Sequence, residues 1–249
     1  MKVPKRLAPL IEEGLIDEVI SQLMSGKEAI VYIVRSGEQI RCAKVYKDVK
    51  QRSFRQATTY LEGRKVQNSR QQRAMEKGSR YGREVQEKLW QTAEVDALFR
   101  LANAGVRVPK PFICIDGVLL MELVTDADGN AAPRLNDVDM TEALALELHQ
   151  RLLDEVIRML CEGMVHGDLS EYNILLAADG PVIIDLPQAV NAAGNNEAPV
   201  MLERDVENLA TYFGQFAPQL LQQTYQNQLA NLGGLAGAGL GAATGTGNA

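Results

Sequence analysis

The stretch Val165-His166-Gly167-Asp168-Leu169-Ser170-Glu171-Tyr172-Asn173 carries the densest chemistry in this chain. Nine residues after Asn173 an apolar run begins, Val182-Ile183-Ile184, and Asp185 ends it. An acid directly after a buried strand faces whatever lies beyond the strand's end. Asn173 and Asp185 flank one expected hairpin, so their side chains can converge. An amide oxygen and a carboxylate are hard ligands, suited to magnesium or manganese. Asp168, five residues before Asn173, lies on the loop entering that site. His166 taken alone reads as a structural histidine that packs and hydrogen-bonds beneath the loop.

These residues need elements to hold them. A long helix from about Thr141 to Cys161, stopped by Gly163, leads into the loop. Short runs Ile174–Leu176 and Val182–Ile184 around Asp179-Gly180 supply the hairpin. Upstream, Ile30–Val34 and Ile40–Tyr46 are rich in β-branched residues and are separated by Ser36-Gly37-Glu38, which predicts an antiparallel pair. Residues 47–83 are polar and basic and read as an exposed excursion with a helical piece around Gln71–Lys77. A helix is predicted from about Glu84 to Asn103, ended by Ala104-Gly105. Phe112–Ile115 and Val118–Met121 around Asp116-Gly117 predict another hairpin. A helix from about Glu203 to Gln215, and one more to Leu232, complete the order.

Strands with one helix, followed by mostly helices, predict an α+β fold of two lobes with a ligand cleft between them. The boundary falls near Leu123–Asp126. The expected organisation is a lead-in over 1–18, a domain over 19–232 with lobes 19–123 and 126–232, and a disordered Gly/Ala-rich tail over 233–249.

Composition narrows the function. The chain has 249 residues, of which 46% are hydrophobic and 23% charged, enough for a sizeable core. No apolar run is long enough to span a membrane. Lys2, Lys5 and Arg6 stand among prolines with no apolar run after them, which argues against a secretory signal. Cys42, Cys114 and Cys161 are far apart, an odd and unpaired set that points to reduced thiols and a cytoplasmic chain. Only two histidines occur and no C-x-x-C, so a metal site built on Cys or His is nearly excluded. The net charge of -6 hides an asymmetry: Lys44 to Lys88 holds 13 Lys/Arg against 5 Asp/Glu. Such a segment suits the phosphates of a nucleotide or RNA, or an acidic protein, although a charge run is more often simply solvated.

The spacing H-x-D-x-x-x-x-N, then an apolar strand ending in Asp, resembles the catalytic loop and metal acid of protein kinases. Lys44 ends a short strand as a phosphate-pairing lysine should, and Glu94 lies centrally on the next helix, able to hold that lysine. The likeness is closer still to RIO kinases. Ser25-Gly26-Lys27-Glu28-Ala29-Ile30-Val31-Tyr32 resembles their S-x-G-K-E-A-x-V-Y signature. Cys42–Lys47, Trp90 with Glu94, His166–Asn173, and Ile183-Ile184-Asp185 with Gln188 resemble the family too, over about residues 19–225. The short lead-in fits the bacterial-type branch that lacks an N-terminal winged helix. Gly26 is the lone glycine of the nucleotide loop, and Gly167 and Pro187 depart from the commonest residues at their positions.

The resemblance implies a kinase-like fold with ATP in the cleft and magnesium or manganese beside it. It implies that Ser25, Gly26, Lys27 and Glu28 cover the triphosphate, that Lys44 pairs the α/β-phosphates, and that Glu94 orients Lys44. Met121 would back the adenine pocket, with backbone groups of Glu122 and Leu123 bonding the base. Asp168 would take the proton of the attacking hydroxyl or position a water, while Asn173 and Asp185 would hold the metal. The implied activity is transfer to protein serine, autophosphorylation included, or ATP hydrolysis through a phospho-aspartate at Asp185. The implied partners are a protein substrate and a ribosomal or RNA partner met through the basic loop 47–83. Two other readings stand beside this one. The H-G-D order and Gly167 lean toward small-molecule phosphotransferases of the aminoglycoside or choline kinase type, but little chain follows Asp185 to build a substrate cap. A nucleotide-gated RNA- or protein-binding module is the other.

Overall fold

The computed structural model describes residues 3–47 and 80–222, with the backbone alone for 80–91 and 222. The basic loop expected over 47–83 lies almost wholly outside the described residues, as do the piece around Gln71–Lys77, the part of the expected last helix from 223 to 232, and the tail from 233 to 249.

After a 3₁₀ turn over Lys5–Leu7, helix α1 spans Ala8–Glu12. Strands β1 (Glu18–Ser25), β2 (Ala29–Ser36) and β3 (Gln39–Tyr46) follow. Helix α2 is Arg80–Asn103, then come β4 (Pro111–Ile115) and β5 (Val118–Glu122). The five strands form one antiparallel sheet in the order β1-β2-β3-β5-β4. Period-two alternation sends Tyr32, Val34, Ala43, Val45, Val118 and Leu120 to one face, where they meet Leu7, Leu10 and Ile16. The lead-in therefore covers the back of the sheet, each buried leucine contributing about 1.5–3 kcal/mol. The same alternation turns Ala29, Tyr46, Leu119 and Met121 to the opposite face, toward Ala97, Leu98 and Leu101 of α2.

The second lobe is built on α3 (Glu142–Cys161) and α4 (Ala198–Gly214). Thr141 caps α3 by accepting the Leu144 N–H, and Gly163, at φ 67°, turns the chain away after it. The buried residues of α3, from Ala145 through Leu148, Leu152 and Val156 to Met159, recur at three-four spacing and face the core. Between the helices lie β6 (Met164–Val165), a 3₁₀ turn at Glu171–Asn173, β7 (Ile174–Ala177), β8 (Gly180–Ile183) and β9 (Val190–Asn191). β6 pairs with β9, and β7 with β8. The α+β, two-lobed kinase-like architecture is thus present. No described helix is long and apolar enough to cross a membrane.

Several elements differ from the sequence expectation: α2 starts at Arg80 rather than Glu84, β6 and β9 have no counterpart in the sequence reading, and the chain after α4 forms a 3₁₀ turn over Pro218–Gln222 where a helix is expected. Two further differences have a clear cause. β1 was not foreseen as a strand, because two register shifts against β2 break its alternation. α4 starts at Ala198 rather than Glu203: Pro199 lies in its first turn, where the missing N–H costs nothing.

His149 of α3 is 3% exposed, edge-on to Phe213 with ring centroids 5.7 Å apart, and its Nε2 has no hydrogen-bond partner. Burial pushes its pKa down. A depressed histidine favours the neutral folded form, so its contribution is intact above the unfolded value of about 6.5 and is lost as pH falls below it. Urea unfolding at pH 7 and pH 5 should show a larger acid loss for the wild type than for His149→Leu.

Candidate active site

β3 aims Lys44 from the cleft-facing side of the sheet, and α2 brings Glu94 beneath it. Lys44 Nζ pairs with Glu94 Oε1 and lies 3.5 Å from Asp185 Oδ1. The Tyr46 hydroxyl, two residues along the same face, donates to Glu94 Oε2 at 2.7 Å. Burial alone would lower the Lys44 pKa, but the Glu94, Asp185 and Glu28 carboxylates outweigh it and the net direction is up. Lys44 is therefore a firmly held cation at the inner end of the cleft. A buried ion pair of this kind adds little net stability; what it supplies is a charge at a fixed place.

The loop after β6 is held from two sides. His166 Nε2 donates to the Ile184 carbonyl at 3.0 Å, and its Nδ1 accepts the Asp168 N–H at 3.3 Å. Those two bonds define one tautomer, and they are the structural role expected of this histidine. Gly167 sits at φ 82°, a conformation that suits glycine. From there its N–H reaches Asp205 Oδ2 at 2.7 Å, and the Leu169 N–H reaches Asp205 Oδ1 at 2.9 Å. Arg204 donates to the Gly167 carbonyl, and Asn208 Nδ2 to the Leu169 carbonyl at 3.0 Å. Asp205 is 1% exposed. Burial pushes its carboxyl up, against the opposing pull of His166, the two N–H donors and Arg204.

Sequence reasoning missed Arg204, Asp205 and Asn208. The signal was present, since Asp205 falls four residues after Met201 and four before Leu209, on the apolar stripe of α4. An acid there is buried and must have donors to face.

The loop then presents its chemistry. Asp168 is exposed, and partial burial of its carboxyl raises its pKa, opposed by His166 and Arg204. Asn173 donates from Nδ2 to the Asp168 carbonyl at 2.8 Å, and its own carbonyl accepts the Ile184 N–H at 2.9 Å. With its amide nitrogen so engaged, Asn173 has its Oδ1 to offer a cation. The pairing of Ile174 with Ile183 puts Asn173 and Asp185 at the same end of the β7–β8 hairpin. Asp185 has φ 65°, uncommon for a residue with a side chain, where the chain turns sharply after β8. One amide oxygen and one carboxylate fit a hard divalent ion that takes its other ligands from phosphate and water. Among the described residues no group of three or more His, Cys, Asp or Glu side chains could hold a metal.

Ser25 ends β1, and Gly26, Lys27 and Glu28 form the connection to β2. Ser25, Gly26 and Lys27 are exposed, and Glu28 is half-buried beside Lys44. The loop is closed by Gly26 N–H to the Ala29 carbonyl at 2.9 Å and tied to β3 by Lys47 Nζ on the Gly26 carbonyl at 2.6 Å.

At the other end of the cleft, Met121 pairs with Cys42 on β3. The Glu122 N–H donates to the Lys110 carbonyl at 2.8 Å. The Glu122 carboxylate takes both Arg107 terminal nitrogens at 3.1 Å each, and Arg107 also reaches Asp179. Arg107, unmarked in the sequence, thereby ties the connection between the lobes to the β7–β8 turn. Leu123 follows, half-buried.

The arrangement brings Lys44, Glu94 and Asp185 into contact, with Asp168 and Asn173 hydrogen-bonded to each other on the adjoining loop. Comparison with known proteins gives the same direction. A family profile for the RIO domain matches residues 30–226. The RIO-type serine/threonine-protein kinase Rio1 of Haloferax volcanii is 36% identical over 206 residues, covering 82% of this chain and 66% of that protein. The serine/threonine-protein kinase rio1 of Schizosaccharomyces pombe is 34% identical over 215 residues, covering 83% of this chain and 40% of that protein. The human serine/threonine-protein kinase RIO1 is 30% identical over 209 residues, covering 83% and 35%. The chain thus spans from just under two thirds to about one third of the length of these relatives.

Proposed function

The chain belongs to the RIO family, and from that premise we propose that it is an ATP-dependent protein kinase that transfers the γ-phosphoryl group to a serine hydroxyl, its own included. The observation that carries this reading is the Lys44–Glu94 pair set 3.5 Å from Asp185 at the end of a cleft. Lys44 neutralises charge on the α/β-phosphates, and Glu94 keeps it in place with help from Tyr46. The connection Ser25–Glu28 offers backbone N–H groups to the phosphates. Asn173 Oδ1 and the Asp185 carboxylate hold magnesium or manganese, and the ion, when bound, offsets negative charge on the phosphates. Asp168 orients the attacking hydroxyl and accepts its proton. Catalysis is then mainly positioning and charge neutralisation. A protein substrate follows from this reading, and the basic segment 47–83 is the place for an RNA or ribosomal partner.

The test uses γ-labelled ATP with magnesium or manganese, reading released phosphate and protein-bound label together. Label on serine survives acid and is lost in alkali. Label released by hydroxylamine, or phosphate release alone, would replace the serine kinase by an ATPase switch working through Asp185. No turnover with either metal, on any added protein, would end the phosphotransfer reading.

A further inference from the structure

Arg134 takes no part in the machinery above. Its backbone forms a bridge with Leu175 of β7, and the neighbouring Pro133 carbonyl accepts the Leu176 N–H at 2.9 Å. Arg134 thus belongs to the floor of the cleft. Its side chain rises to the other lobe, where Nη2 lies 3.2 Å from Met24 Sδ, directly before Ser25 and Gly26. The contact spans the cleft from floor to roof. A thioether is a weak acceptor for a guanidinium. Arg134 Nε is buried with no hydrogen-bond partner, and no carboxylate pairs with this side chain among the described residues. Arg107 and Arg151, by contrast, both donate to oxygen. The buried Nε–H of Arg134, like those of Arg41 and Arg107, lacks an acceptor, and Nη2 meets only a weak one.

The position says which acceptor. Lys44 and Asp185 mark the phosphate end of the cleft, and Met121 to Leu123 mark the base end. Arg134 joins Met24, at the end of β1 just before Ser25, to β7, which begins directly after Asn173, and it lies in the segment that follows residues 121–123. The part of a nucleotide that lies between base and phosphates is the sugar, whose neighbouring hydroxyl oxygens suit the forked donors of a guanidinium. We propose that Arg134 is a specificity-determining residue that binds the ribose hydroxyls of the nucleotide, exchanging Met24 Sδ for sugar oxygen and bridging the lobes over the bound ligand. The proposal rests on the kinase reading above.

Calorimetric binding of ADP, 2′-deoxy-ADP and 3′-deoxy-ADP with magnesium tests it on the whole protein, comparing wild type with Arg134→Ala. Arg134→Met, which keeps the apolar stem, serves if the alanine variant fails to fold. Wild type should prefer ADP to at least one deoxy analogue by about tenfold, the worth of a charge-assisted hydrogen bond. Either variant should bind ADP about tenfold more weakly and lose the preference. If the variants weaken all three ligands equally and keep the wild-type preference, Arg134 acts on the phosphates or on the fold, and the ribose assignment is wrong. The same holds if ADP binding does not change. If wild type binds none of the three, the phosphotransfer reading falls first and takes this inference with it.

Discussion

Asp168→Asn is expected to lower phosphoryl transfer about a thousandfold while leaving the protein folded. The loop is held at this residue by backbone groups, the N–H on His166 Nδ1 and the carbonyl under Asn173 Nδ2, and an asparagine keeps both. What it removes is the proton acceptor. Thermal unfolding should move by less than about 0.5 kcal/mol, the usual range for an exposed site. Asp185→Asn should give a comparable loss through the metal and through its contact with Lys44. The double variant should be hardly worse than either single one, because groups that act as a unit are not additive. Steady-state turnover with urea unfolding alongside decides this. A loss under about tenfold for Asp168→Asn would remove it from the proton-transfer role.

Asp205→Ala is expected to cost both stability and turnover, although Asp205 faces the loop from below. Its two oxygens satisfy the N–H groups of Gly167 and Leu169, and at 1% exposure no water replaces them readily. Leaving two buried donors unpaired costs about 3 kcal/mol or more, or about 6–12 °C in Tm for a domain of this size. The loop between β6 and β7 then loses its anchor on α4, and Asp168 and Asn173 lose their mutual placement. A fall in kcat larger than the change in KM for ATP is the expected signature. Asp205→Asn retains one acceptor oxygen and should recover part of the stability. A variant with wild-type Tm and turnover would show that Arg204, Asn208 and His166 suffice to hold the loop.

How much of this was legible in the sequence depends on where each restraint lies. The hairpins around Asp116-Gly117 and Asp179-Gly180 were readable because turn chemistry is local. The helix over Glu142–Cys161 was readable because its buried stripe is regular. Lys44 and Glu94, fifty residues apart, were linked through the resemblance to kinases, since nothing local in either residue announces the other. Asp205, Arg107 and Arg134 were not legible for the same reason. Each acts on partners 15 to 110 residues away: Gly167 and Leu169, Glu122 and Asp179, Met24. A single sequence shows an acid on an apolar stripe, but it does not show what the acid faces. β1 failed differently, because its inserted residues destroy the very alternation by which strands are recognised.

Those insertions have a consequence for how the protein behaves in company. β1 stands at the end of the sheet order, and Ile20 and Leu23 are the extra residues at its two slips, both well exposed. A straight outer strand carrying exposed isoleucine, leucine and methionine would be a ready template for strand addition by another chain. Each slip bends the strand and puts its N–H and C=O groups out of step with any regular newcomer. The irregularity that hid β1 from pattern recognition therefore guards the sheet against fibrillar self-association, and deleting both Ile20 and Leu23 to restore a clean ladder would trade solubility for regularity.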